Sequence, residues 1–229
     1  MSITKWVASP FSKHFTYKSE TERPWKPEMV LELLEQAHQE FERLMGPGLD
    51  IVIEVEDRIC EPNNLGARAE ISKQVHSAQE STIEVKFICE FPQNYGDTEQ
   101  ERNLAYHFFV HELFHCWIGG NVSGNHGQIV EAITQYMTDW VLVRLGWCTE
   151  DLLIREQTNW QRIVDTADPP HTTIAKYKLL FDQMHTDDSE NLFAFCRDLA
   201  DCFRQQRNRE ETDISAVLQR YLGTALEED

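Results

Sequence analysis

Positions 111–115 read His-Glu-Leu-Phe-His, and the residues on either side leave that pentapeptide few ways to fold. A helix turns about 100° per residue, so residues four apart stand one turn apart on one face. His111 and His115 can then hold one metal ion between two imidazoles. Glu112, beside the first of them, can take a proton from a water on that ion. The flanking segment from Asn103 to Trp117 carries almost no charge outside the motif. Leu104, Phe108, Phe109, Val110, Leu113, Phe114 and Trp117 make the helix apolar nearly all round, which predicts that it is buried. Histidines and a glutamate inside such a helix must be paired or metal-bound, because an isolated buried charge is costly. The competing explanation is a core helix with two hydrogen-bonded histidines.

Catalytic zinc takes three protein ligands and leaves one position for water, so a third ligand is expected downstream. The candidates are His126 and Glu131. Glu131 opens a run with Val130, Ile133, Met137, Trp140 and Val141 at helical spacing. Between the two helical runs lies Gly119-Gly-Asn-Val-Ser-Gly-Asn-His-Gly127, a cluster of breakers. The expected arrangement is helix, glycine-rich turn, helix, with Glu131 facing His111 and His115 across an antiparallel pair. His126 falls in the loop, and side chains on regular elements are better held, so Glu131 is the preferred ligand. Two imidazoles and one carboxylate suit a single Zn2+ ion.

The stretch His111-Glu-Leu-Phe-His-Cys-Trp-Ile-Gly-Gly-Asn121, followed by Glu131-Ala-Ile-Thr-Gln-Tyr136, resembles the gluzincin zinc metallopeptidases. Within them it is similar to the aminopeptidase and glycyl-aminopeptidase branches. Trp117, Gly119, Gly120, Asn121, Glu131, Thr134 and Tyr136 stand in similar places, and Asp139 lies where the second branch often carries an acid. The similarity covers about residues 104–146 well. It implies a thermolysin-like catalytic domain, zinc at His111, His115 and Glu131, and Glu112 as general base. It also implies a later tyrosine that donates to the oxyanion, for which Tyr177 in Ile174-Ala-Lys-Tyr-Lys-Leu-Leu-Phe181 is the best match. Three positions depart from the pattern. Ala132 replaces the glycine after the third ligand, and the loop before Glu131 is shorter. Gly66-Ala-Arg-Ala-Glu70 only partly matches the signature that anchors a free amino terminus, so exopeptidase activity is not implied.

The layout of the chain predicts an α+β fold in one domain, 1–229. A small N-terminal sheet with a helix (1–98) precedes the central helix pair (99–146) and a C-terminal helical lobe (147–229), with a cleft between lobes. Residues 1–24 read as irregular, held against the body by Trp6, Phe11, Phe15 and Tyr17. Val30, Leu31, Leu34, Ala37, Phe41 and Leu44 mark a helix over Pro27–Met45, closed by Gly46-Pro-Gly48. Strands are expected at 49–56, 67–75 and 81–89, and helices near 149–166, 172–185, 188–206 and 211–223. A sheet edge beside the motif helix can take up a substrate peptide through its backbone.

The net charge of −18 argues against nucleic-acid partners and against an anionic membrane surface. No apolar run approaches a membrane span, and the first residues lack a secretory leader pattern. The six cysteines form no CxxC pair, which fits reduced thiols in a cytoplasmic protein. The chemistry expected is a metal-assisted hydrolysis of peptide bonds, with Tyr177 or His171 helping to polarise the carbonyl. Asp139, Thr134 and Asn121 are candidate partners for the ligating imidazoles, and His107 reads as a satisfied core histidine. Two alternatives differ in class. One is a zinc enzyme acting on a small-molecule ester, amide or epoxide in a biosynthetic pathway. The other is a non-catalytic binding module that has kept the fold, against which the retained Glu112 speaks.

Overall fold

The computed structural model describes residues 5–7, 12–48, 51–75, 81–118, 125–166, 171–207 and 214–223. Twelve elements follow in chain order: β1 (Lys5–Val7), β2 (Phe15–Ser19), α1 (Pro27–Met45), β3 (Ile53–Ile59), β4 (Gly66–Val75), β5 (Ser81–Phe91), α2 (Glu99–Ile118), α3 (Asn125–Arg144), α4 (Glu150–Thr166), α5 (Thr172–Asp187), α6 (Ser189–Arg207) and α7 (Ile214–Leu222). The fold is α+β. Its five described strands make one mixed sheet in the order β1-β2-β3-β5-β4. Strands β2, β3 and β5 run parallel, while β1 and β4 pair antiparallel with their neighbours. Helix α1 makes the crossover between β2 and β3, as a parallel pair requires.

The first residues are not irregular as the sequence suggests. Phe15 and Tyr17 alternate inward on β2 and are buried, while Thr16 and Lys18 lie less deep. A five-residue alternation is too short to stand out among scattered aromatics. Leu49, Asp50 and Phe11 lie outside the described residues, as does the side chain of Trp6.

Local chemistry sets the ends of the helices that matter most. Pro27 occupies the first turn of α1, and Gly46 closes it at φ 79°, its N–H reaching Glu42 O at 2.9 Å. Thr98 and Glu101 form a reciprocal capping box before α2: Glu101 N–H donates to Thr98 Oγ1 and Thr98 N–H to Glu101 Oε2. Just upstream, Gly96 sits at φ 104°, where a Cβ would lie 2.4 Å from the Trp25 ring. Only glycine fits that turn.

Helix α2 is the hub. It touches α1, α3, α6, β4 and β5, and every residue from Phe109 to Ile118 is buried. Phe41 of α1 meets Phe114 edge-on at 4.9 Å between ring centres, and Trp117 Nε1–H donates to Gly46 O at 3.2 Å. A single apolar cluster runs from β2 through α1 and α2 to α7. Among the described residues no helix is long and apolar enough to cross a membrane.

Candidate metal centre

Two helices and one strand build the site. His111 and His115 project from successive turns of α2, with their Nε2 atoms 3.0 Å apart. Helix α3 packs against α2 and brings Glu131 to both: Oε1 lies 3.5 Å from His111 Nε2, and Oε2 lies 3.5 Å from His115 Nε2. The three ligand atoms fall within 4.8 Å of one another. A tetrahedral ion with bonds of about 2.0–2.1 Å needs ligand atoms about 3.3 Å apart. The imidazole pair at 3.0 Å and the 3.5 Å approach of each imidazole to one of the two Glu131 oxygens lie near that value, so the donor set fits one zinc ion.

Charge follows the same pattern. Burial pulls the His111 imidazole down to about 4, against the opposing pull of Glu131. Burial pushes the Glu131 carboxyl up, but hydrogen bonds from His111 and His115 outweigh it and hold it well below the usual carboxylate range. A neutral His111 imidazole beside an ionised Glu131 carboxylate is the pairing of protonation states a metal requires.

These residues line a cavity of about 450 Å³ together with Glu112, His107, Phe108, Gln135 and the Gly66–Ala69 stretch of β4. Glu112 is 5% exposed. Burial pushes its carboxyl up to about 7, Glu131 adds to the rise, and the Ala69 backbone N–H and the charge of His115 work against it. One wall of the cavity is therefore the edge strand of the sheet.

The other predicted residues fall less evenly. His126 lies in the first turn of α3 and not in a loop, because that helix begins at Asn125, five residues earlier than the periodicity suggests. Its side chain lies outside the described residues, as do Gly119, Gly120 and Asn121. Asp139 is buried and bonds His107 Nδ1 at 2.9 Å. Thr134 Oγ1 donates back to Val130 O in its own helix. His107 is half-buried and lines the cavity, one turn before His111. Tyr177 is buried on α5 and His171 is exposed at its start; neither is among the residues that line the cavity.

Sequence reasoning passed over Gln135 and Lys178. Gln135 Nε2–H donates to Glu131 Oε1 at 2.7 Å, and Lys178 Nζ–H donates to Gln135 Oε1 at 3.1 Å. A signal was present: Lys178 sits between Ala175, Tyr177 and Phe181 on the buried stripe of α5.

Among the solved structures that match, one shares this fold over 98% of the chain, with a TM-score of 0.57 and 12% identity. It is a two-domain M1 zinc metallopeptidase, an E323A mutant bound to L-arginine, and the present chain spans 50% of its length. At that identity the likeness is one of fold. No protein-family model and no curated protein matches the sequence.

Proposed function

We propose that the chain is a zinc-dependent hydrolase that cleaves peptide bonds. The observation that carries this is the convergence of His111, His115 and Glu131 on the wall of a cavity that Glu112 also lines. Three protein donors leave one tetrahedral position open, the mark of a catalytic site. Zinc held there would polarise the substrate carbonyl and lower the pKa of a bound water to about 7. Glu112 would receive the proton of the attacking water and hand it to the leaving nitrogen. Strand β4 supplies the substrate platform. Its Ala69 N–H bonds Glu112, and Ala67, two residues back, lines the same cavity on the outer side of the described sheet. An extended peptide paired there lies along the cavity. The L-arginine bound by the structural neighbour supports an amino-acid-derived substrate.

Purified protein is expected to carry roughly one zinc per chain, and His115→Ala to lose it, as measured by elemental analysis. Chelation should abolish peptide cleavage and added zinc restore it. Zinc-free wild-type protein that cannot be loaded would end the proposal. The cavity also suits a small molecule, since such sites span about 300–1,000 Å³. Turnover of an ester or amide with no cleavage across peptide libraries would move the assignment there.

The oxyanion role proposed for Tyr177 requires α5 to shift when substrate binds, because the ring lies outside the cavity lining. Tyr177→Phe should then lower kcat by about tenfold or more at unchanged KM. An unchanged kcat removes Tyr177 from the chemistry.

A further inference from the structure

Of the two lysines on α5, Lys178 makes no sense as a solvated surface charge. Lys178 is 5% exposed, and its closest described polar partner is an amide and not a carboxylate. Its ammonium has two described contacts: the Gln135 carbonyl oxygen at 3.1 Å and the face of Trp160, 4.2 Å from the ring centre. Burial pulls the ammonium down and outweighs Asp139, Glu156 and Glu131, which favour its charge only from beyond ion-pair distance, so the position is costly and needs a reason other than stability.

Gln135 supplies one. A side-chain amide has a donor end and an acceptor end, and by itself it can turn over. Lys178 has only donors to offer, so it fixes the amide oxygen towards itself. The amide N–H₂ must then face the other way, where it meets Glu131 Oε1 at 2.7 Å. Turned over, the amide would set its oxygen against an ionised carboxylate. Glu131 lies one helical turn before Gln135 and is a third exposed, so its own helix leaves its side chain free to rotate.

We propose that Lys178 is a positioning residue for the metal centre: through Gln135 it holds the Glu131 carboxylate in the place from which it faces both His111 and His115. The chain Lys178–Gln135–Glu131 runs from α5 to α3 and makes metal affinity depend on the packing of the helical lobe. This rests on Glu131 being a zinc ligand.

The test is the zinc dissociation constant of the full chain, by competition with a chromophoric chelator, alongside thermal melting of the metal-free protein. Lys178→Met and Gln135→Leu should each weaken zinc binding by about 10–100-fold. Lys178→Met should leave the melting temperature unchanged or raised, since it replaces a buried charge with an apolar chain of similar length. Lys178→Arg, which keeps donors, should retain most of the affinity. The double variant Lys178→Met/Gln135→Leu should bind zinc no more weakly than Gln135→Leu alone, because the lysine acts only through the amide. Folded Lys178→Met protein with affinity within twofold of wild type overturns the proposal, and so does a double variant whose losses add. If Lys178→Met does not fold, Gln135→Leu at wild-type affinity overturns it equally. Failure of the zinc reading looks different: Glu131→Gln, run beside these, would then bind zinc as tightly as wild type.

Discussion

Glu112→Gln is expected to lower kcat by about 10²–10⁴-fold, the range for loss of a general base, while the protein keeps its zinc. The substitution preserves shape and leaves His111, His115 and Glu131 untouched. It removes only the atom that accepts a proton. Glu112 is next in chain to a proposed ligand, but its side chain leaves the helix about 100° away from that of His111. It is therefore placed to serve the water and not the ion. Stability should not fall, because burial already disfavours the charged form of this carboxyl. Steady-state kinetics on a cleaved peptide, paired with metal analysis of the same sample, decides the matter. Loss of zinc along with activity would place Glu112 among the ligands. Activity within tenfold of wild type would hand the proton to another group, and His107 on the same cavity would be the one to examine.

The convergence of His111, His115 and Glu131 was legible in the sequence because each is placed by a local or periodic pattern. Two histidines at i and i+4 need no tertiary information to share a face, and Glu131 required only that a second helix fold back on the first. The preference for Glu131 over His126 rested on rigidity, and the structure puts the carboxylate in contact with both imidazoles. The start of α3 was misjudged because glycine and asparagine read as breakers, although the helix runs through His126 and Gly127. Propensity is a weak prior, and tertiary packing overrides it at element ends.

What the sequence hid is non-local. Nothing in Phe15–Ser19 announces that it pairs in parallel with Ile53–Asp57, since parallel neighbours are joined through a helix and share no turn signal. The pairing of His107 with Asp139 joins residues 32 positions apart and turns an apparent core histidine into part of the cavity wall. Gln135 looks like an ordinary helix-surface residue until α5 is laid against α3 and brings Lys178 to it. Buried polar groups find partners, but which partner depends on packing that periodicity does not encode.

Arg23→Met should destabilise the protein by about 3–5 kcal/mol, the loss expected when one half of a buried ion pair is removed. For a chain of this length that corresponds to a fall in Tm of about 6–20 °C. Arg23 and Asp57 are 1% and 0% exposed. The guanidinium reaches both carboxylate oxygens, Nε at 3.0 and 2.9 Å and Nη2 at 2.6 Å. Its remaining donors go to the carbonyl oxygens of Arg58, Phe91, Pro92 and Gln93. Tyr17 Oη–H adds a bond to Asp57 at 2.7 Å, and Trp25 Nε1–H in turn reaches Tyr17 Oη at 3.1 Å. One side chain therefore ties the segment before α1 to the ends of β3 and β5. Methionine would leave the Asp57 carboxyl buried with the Tyr17 and Ser19 hydroxyls but without its cation, against the upward push of burial. The double variant Arg23→Met/Asp57→Asn, which also neutralises the partner, should recover part of the loss, a coupling of about 0.5–3 kcal/mol. Denaturant titration of the three variants measures it, and a single-variant loss below about 1 kcal/mol, the level of a surface pair, would refute the assignment. Because β5 carries β4 on its far edge, the same staple supports the wall that faces Glu112. The proposed zinc ligands, however, stand on α2 and α3, so folded Arg23→Met protein should bind zinc as wild type does, while its KM for peptide is expected to rise as the proposed platform loosens.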